Sequence, residues 1–280
     1  MIIKRLFSRQ WLKTTILVIA AVLVMIRLGF WQLDRLTQRR AFNERVEAQL
    51  SADKLPLTNQ SLNLDLYNME YRGAEVSGQF DHENQVVLRN QDWQGKLGVH
   101  ILTPLLIEGG TKAILVDRGW VPYEDFTAGS LSHYDVPGQV QIEGKIRRSQ
   151  SKPLIGGRAD DIPGPGEPPL TAWNWINIAN ISRQIPYELL PVYLVSSPDP
   201  SSNQLPYRSH QDLDLTEGSH LGYAFQWFTF AAILAIGYPI FVRKEEERRS
   251  PSNRKVTPYF KSDQSNNQEP ESNLKGYEQP

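Results

Sequence analysis

The chain has 280 residues, with 30 Lys plus Arg against 31 Asp plus Glu, and no cysteine. A formal net charge of −1 gives no global pull toward nucleic acid, and the missing thiols exclude disulfides, Cys-based zinc and iron–sulfur sites, and thiol nucleophiles. A mean hydropathy of −0.43 describes a polar protein, but that average conceals two apolar extremes.

The first extreme is 14–31, TTILVIAAVLVMIRLGFW, whose only charge is Arg27. Its length is near the lower limit for crossing a bilayer core as a helix. Lys4, Arg5, Arg9 and Lys13 precede it, so a cleaved signal peptide is the alternative, but no small-x-small site separates the apolar run from Trp31. The following stretch, QLDRLTQRRAFNERVEAQL, is rich in helix formers and free of Gly and Pro. It predicts a solvated helical stalk over 32–55, ended at the latest by Pro56.

From 56 to 219 the pattern changes to short runs rich in Val, Ile and aromatics: GAEVSGQF, QVVLRN, GVHILTPLLI, KAILVDRGWV, QVQIEGKI, NWINI and PVYLV. Turn signals such as Glu108-Gly109-Gly110 and Pro137-Gly138 separate them. Strand following strand predicts an antiparallel sheet or partly closed barrel. One short helix is expected over 180–189, capped by Asn180 or Ser182. The segment 153–170, PLIGGRADDIPGPGEPPL, reads as an exposed loop in which Asp160 and Asp161 face solvent.

The second extreme, 220–242, reads HLGYAFQWFTFAAILAIGYPIFV, without a formal charge and with aromatics at both ends. A buried core helix is the alternative, and the length argues against it. Residues 243–280 are polar and lack apolar periodicity, predicting a disordered tail. Lys4, Arg5, Arg9, Lys13, Arg243, Lys244, Arg248 and Arg249 on the outer flanks outnumber Arg35, Arg39, Arg40, Arg45 and Arg208 on the inner ones. This bias favours cytoplasmic termini, 1–13 and 243–280, and an extracytoplasmic domain between the spans. The expected class is therefore an α+β membrane protein: two transmembrane helices flanking a β-rich extracytoplasmic domain.

Enzyme signals are weak. There is no G-x-x-x-x-G-K-[ST] loop, G-x-S-x-G elbow, H-E-x-x-H or G-x-G-x-x-G motif. The five histidines, at 82, 100, 133, 210 and 220, include no i, i+4 pair. His82 and His133 read as surface residues and His100 as a packed imidazole in a strand. His220 stands apart because it opens the second span at the membrane interface. On a helix, His220, Tyr223, Ala224 and Trp227 share one face, a nitrogen donor beside aromatic planes on which a flat macrocycle could rest; an interfacial anchor is the alternative.

Five segments carry a family resemblance. Leu28-Gly29-Phe30-Trp31-Gln32-Leu33-Asp34-Arg35-Leu36 resembles the L-G-x-W-Q-x-x-R signature that closes the first span in the Surfeit locus protein one family. His220-Leu221-Gly222-Tyr223-Ala224-Phe225-Gln226-Trp227-Phe228 resembles that family's H-x-x-Y-A-x-Q-W signature. Between them, Tyr71-Arg72 with Gly78-Gln79-Phe80, then Gly98 to Leu105, then Leu115 to Pro122, resemble its central motifs in order. Asn177 departs from the pattern, standing where many members have Asp.

The resemblance implies a non-enzymatic assembly factor for haem-copper cytochrome c oxidase in the plasma membrane. Such a factor acts on subunit I, together with other assembly factors, while haem a is installed. It implies that His220 is an axial ligand to haem iron. As hypotheses beside it, Tyr223 and Trp227 touch the ring, while Arg35, with Arg27 as a further candidate, offers charge to the propionates. Contact with lipid phosphate is the alternative for both arginines. Without cysteine, haem a would be held transiently and non-covalently. The segment 118–122, RGWVP, is a candidate partner surface, with Trp120 packed in the sheet as its alternative. A two-span sensor and a tethered hydrolase are the rival functions; the lack of an output domain and of a nucleophile–base set speaks against each.

Overall fold

A computed structural model describes residues 2–150, 160–164, 166–199, 204–209 and 213–249. In chain order the regular elements are α1 (Ile2–Leu6), α2 (Leu12–Ser51), β1 (Leu55–Pro56), β2 (Gly73–Phe80), β3 (Val86–Trp93), β4 (Lys96–Ile107) and β5 (Lys112–Pro122). They continue with α3 (Tyr123–Thr127), β6 (Gln139–Arg148), β7 (Ala172–Trp173), α4 (Ile178–Ile181), β8 (Glu188–Ser196) and α5 (His220–Arg249). The chain divides into two compact units, Met1–Gln32 with Leu221–Pro280, and Leu33–His220.

The first unit is a helix pair. Helices α2 and α5 are each long and apolar enough to cross a membrane, and only 6% and 17% of their most apolar windows are buried. That exposure separates them from the core helices of a water-soluble protein, which hide such surfaces. Ile16, Leu17, Leu23 and Val24 on α2, and Ile233, Ile236 and Ile240 on α5, all point outward. Thr15 and Tyr238 join the two helices of the pair by a hydrogen bond. The Thr15 hydroxyl donates to the Leu6 carbonyl at 2.7 Å and accepts from the Tyr238 hydroxyl at 2.8 Å. Helix α5 accommodates Pro239 and runs seven residues beyond Val242 into the predicted tail. Good helix formers and the pairs Arg243–Glu247 and Arg249–Glu245, each 2.9 Å, extend it. Residues 250–280, the rest of that expected tail, lie outside the described residues.

The second unit begins with a helical stalk that ends at Ser51, short of the expected 55, and is not fully solvated, since Leu36, Asn43 and Val46 are buried. Leu33 to Ser51 continue α2 without a break, as the uninterrupted run of helix formers dictates. The β-rich part is a closed five-stranded barrel rather than an open sheet. Its ring runs β2-β6-β8-β5-β4 and closes where Gly78, Gln79 and Phe80 of β2 meet Ile107, Leu106 and Leu105 of β4. Strand β1 lies outside β2, and β3 and β7 extend the sheet beyond β4. Closure requires glycine at 78, because a Cβ there would collide with the Leu106 carbonyl oxygen. The expected antiparallel pattern holds for most pairs. Strands β5 and β8 run parallel, and so do the short pairs β1–β2 and β3–β7.

Alternation along β2 sends Ala74, Val76 and Phe80 inward, where they pack with Leu105, Ile107, Ile114, Val116, Ile146, Val192 and Leu194. A second cluster, on the other face of β5 and β8, joins Leu115 and Tyr193 to Trp173, Ile178 and Ile181. With both faces covered, β5 is buried from Ala113 to Val121, which explains its nearly continuous apolar sequence.

Two local expectations fail, each where a side-chain oxygen takes a backbone N–H. Asn174 to Asn177 form no strand, because the Asp160 carboxylate accepts from the Asn174 backbone N–H at 2.9 Å and the Trp175 N–H at 3.3 Å. Asp160 is therefore a turn anchor, not a solvent-facing side chain. Helix α4 starts at Ile178 rather than 180 because Asn177 Oδ1 caps the Asn180 N–H at 3.1 Å, and the sequence to 189 then enters β8. Of the expected loop 153–170, residues 153–159 and 165 lie outside the described residues.

Candidate functional site

Helix α5 opens at His220, directly after a tight turn in which Gly218 has φ +68°. The imidazole folds back over that turn, since a Cβ at Gly218 would lie 3.6 Å from His220 Cδ2. The ring is half-buried. Tyr223 and Trp227 follow one and two turns along the same helix. Tyr223 is 50% exposed, whereas Trp227 is half-buried and perpendicular to the Phe230 ring, 6.4 Å between centroids. Ala224, expected to leave room for a flat ligand, is 1% exposed. The space above it is already filled. Arg35 and Arg27 lie on α2 with exposed side chains, and Arg35 Nη1 donates to Gln38 Oε1 at 3.0 Å.

The segment leading into His220 is tied to the stalk. Arg40 Nε and Nη2 donate to the two oxygens of Glu217 at 2.8 Å each, and Arg39 Nε donates to the Thr216 carbonyl at 3.0 Å. Arg39 Nη2 donates to the Asp214 carbonyl and Asn43 Nδ2 to the Leu215 carbonyl. These side chains occupy positions i, i+1 and i+4 of α2, adjacent on one side of the helix.

Within the helix pair, the two terminal motifs meet. Gly29 is buried, and a Cβ there would lie 2.6 Å from Phe228 Cε1. Phe30 packs edge-on against the same ring at 5.4 Å. The glycine of the first motif thus receives the phenylalanine that ends the second.

The Leu115 to Pro122 motif forms a buried polar centre in the barrel wall. A bulge leaves Arg118 without a partner on β4, since Asp117 faces Leu102 and Gly119 faces Ile101. Gly119 takes φ +119°, a conformation that favours glycine. Asp117 accepts from His100 Nδ1 at 2.9 Å and from the Gly119 N–H at 3.0 Å. Burial pushes the His100 imidazole down, but the Asp117 carboxylate overrides it, and the net value is raised.

Arg118 is 3% exposed. It donates to Gln85 Oε1 at 3.2 Å and to the Tyr134 carbonyl, over the Phe80 ring at 4.9 Å. Burial lowers its pKa to about 10 despite the nearby Asp135, with Arg208 adding to the fall. Asp117 and Arg118 interrupt an otherwise apolar strand, and that was the sequence signal for this centre: ionisable groups in a covered strand require partners.

Trp120 is 2% exposed, so it is not a partner surface. Its indole N–H donates to the Gln91 carbonyl at 3.2 Å, it stacks on Tyr207 at 6.0 Å, and it fills the space left by Gly98. His82 also departs from expectation. It is half-buried, with Nδ1 3.1 Å from Asp135, whereas His133 is exposed as predicted. His210 lies outside the described residues. Among the described residues, no group of three or more His, Cys, Asp or Glu is placed to hold a metal ion. A porphyrin brings four nitrogens of its own and asks the protein for as few as one axial ligand, which a single imidazole can supply.

Residues 19–232 match the SURF1 family. A SURF1-like protein of Rickettsia conorii is 28% identical over 239 residues, covering 83% of this chain and 92% of its own, and one of Monosiga brevicollis is 26% identical over 239 residues, covering 81% and 86%. Surfeit locus protein 1 of Mus musculus is 28% identical over 143 residues, 46% of each chain. With both terminal motifs and the barrel motifs inside the matched range, the chain belongs to the SURF1 family.

Proposed function

We propose that this protein is a non-enzymatic assembly factor for haem-copper cytochrome c oxidase that holds haem a for subunit I, with other assembly factors as further partners. Family membership across residues 19–232 carries the reading. In it, α2 and α5 cross the plasma membrane, both termini are cytoplasmic, and the barrel lies outside. Outward-facing apolar side chains on both helices support the crossing, and the basic residues flanking them support the orientation. Bacterial relatives of similar length support the plasma membrane as its location.

Haem a is cargo here. His220 is the axial ligand, offered by a half-buried imidazole, and Tyr223 and Trp227 on the following turns of α5 contact the ring. Arg35 pairs with a propionate. A non-covalent axial bond lets the carrier shield the macrocycle and still release it. Deleting the gene and recording difference spectra of membranes tests the assembly role: the haem a signal of the oxidase should fall, and a normal signal with normal oxidase activity defeats it. Purifying the His220→Ala variant from haem a-producing cells tests the ligand: unchanged haem content and spectrum would remove His220 from the role.

A further inference from the structure

We infer that Arg39, Arg40 and Asn43 of α2 are positioning residues for His220, acting through the segment 214–217; the consequence for haem rests on the ligand role proposed above. Four consecutive residues, Asp214, Leu215, Thr216 and Glu217, are each bonded to this one side of the stalk. The Arg40–Glu217 fork uses two parallel bonds of 2.8 Å, a geometry that fixes direction as well as distance. The segment is also shaped before it docks. Asp214 Oδ1 accepts from the Thr216 N–H at 2.9 Å and from its hydroxyl at 2.6 Å, closing a local turn. Only Gly218 and Ser219 then separate the clamp from His220.

Exposed ion pairs add little to global stability. What this set does add is a restraint on where the chain enters α5. Gly218 would otherwise leave that entry free, because glycine adopts its left-handed turn without holding it. Asn43 is 7% exposed and brings the clamp under cover at Leu215. The imidazole over Gly218 is therefore held from the N-terminal side by the stalk. An axial ligand needs such orientation, because groups outside the ligand set the direction of its ring.

The absence of native cysteine makes the test clean. A spin label is attached to the full chain through Ser219→Cys, with Ser132→Cys, in the turn between α3 and β6, as control; both positions are exposed. Arg40→Glu places like charges opposite each other, and Arg40→Glu with Glu217→Arg restores the pair reversed. In haem-free protein, the label at 219 should gain mobility in the single variant and lose it again in the swap, with the control unchanged throughout. In protein from haem a-producing cells, the single variant should retain about threefold less haem, with a shifted absorption band, and the swap should recover both.

A label at 219 that stays immobile in Arg40→Glu overturns the inference, as does mobility that the swap fails to reverse. If the label responds as expected while His220→Ala leaves haem content unchanged, the clamp stands as a device that fixes the start of α5, and the haem reading falls.

Discussion

The imidazole of His100 on β4 donates to the buried carboxylate of Asp117 on β5, 2.9 Å away, next to the bulge that carries Arg118. This pair makes barrel stability depend on pH. The folded value of His100 is raised above its ordinary range near about 6.5. Its contribution is fully present below that range and is lost as pH rises through the folded value. Urea midpoints measured from about pH 6 to 8.5 should fall in the native chain and fall less in His100→Gln. Equal slopes would show that the pair does not govern this window.

Gly29 and Phe228 set how closely α2 and α5 approach within the helix pair. Gly29→Ala should destabilise the pair by about 1–3 kcal/mol, because a Cβ 2.6 Å from Phe228 Cε1 forces the ring or the helix to shift. Adding Phe228→Leu should recover part of the loss. Unfolding in detergent titrations, followed by tryptophan fluorescence, measures both.

Trp120 is a packing residue, so its loss should be felt in the fold. Trp120→Ala is expected to cost about 3–5 kcal/mol in chemical unfolding, and Trp120→Phe less. A Trp120→Ala chain of native stability that no longer bound the oxidase would reverse this assignment.

Arg118 uses a planar fork to reach two acceptors at once. Lysine brings a single ammonium to the same buried place and leaves one acceptor without a donor. Arg118→Lys should lower stability by about 1–3 kcal/mol, read from the shift in urea midpoint at constant slope.

The strands were legible wherever β-branched runs met glycine turns: 73–80 appears in the sequence with the bounds it has in the fold, and Gly109 and Gly110 mark the turn before β5. Closure of the barrel was not legible. It depends on Gly78 passing a carbonyl of a strand distant in sequence, and on β8 pairing in parallel after a crossover, neither of which leaves a local pattern. The strand expected at Asn174 was lost to a carboxylate fourteen residues earlier. At the candidate site, His220 could be singled out because it begins an apolar run. Its clamp could not, because Arg39 and Arg40 look like ordinary charges on a solvated helix and their partners lie 175 and 177 positions away. Trp120 in its motif invited a surface reading that only burial could correct.

The position of β8 in the ring also dictates when the domain can become finished. Among the described residues it is the last strand to be synthesised, yet it belongs between β5 and β6. Until residues as far as Ser196 have emerged, those two neighbours present bare edges, the kind that recruit other chains. A polypeptide stopped short of Glu188 would retain most of the barrel's sequence without a closed wall, and is expected to be a substrate for proteases rather than a partly active protein. Shortening the gene from its 3′ end should therefore abolish accumulation abruptly at β8 rather than erode it gradually.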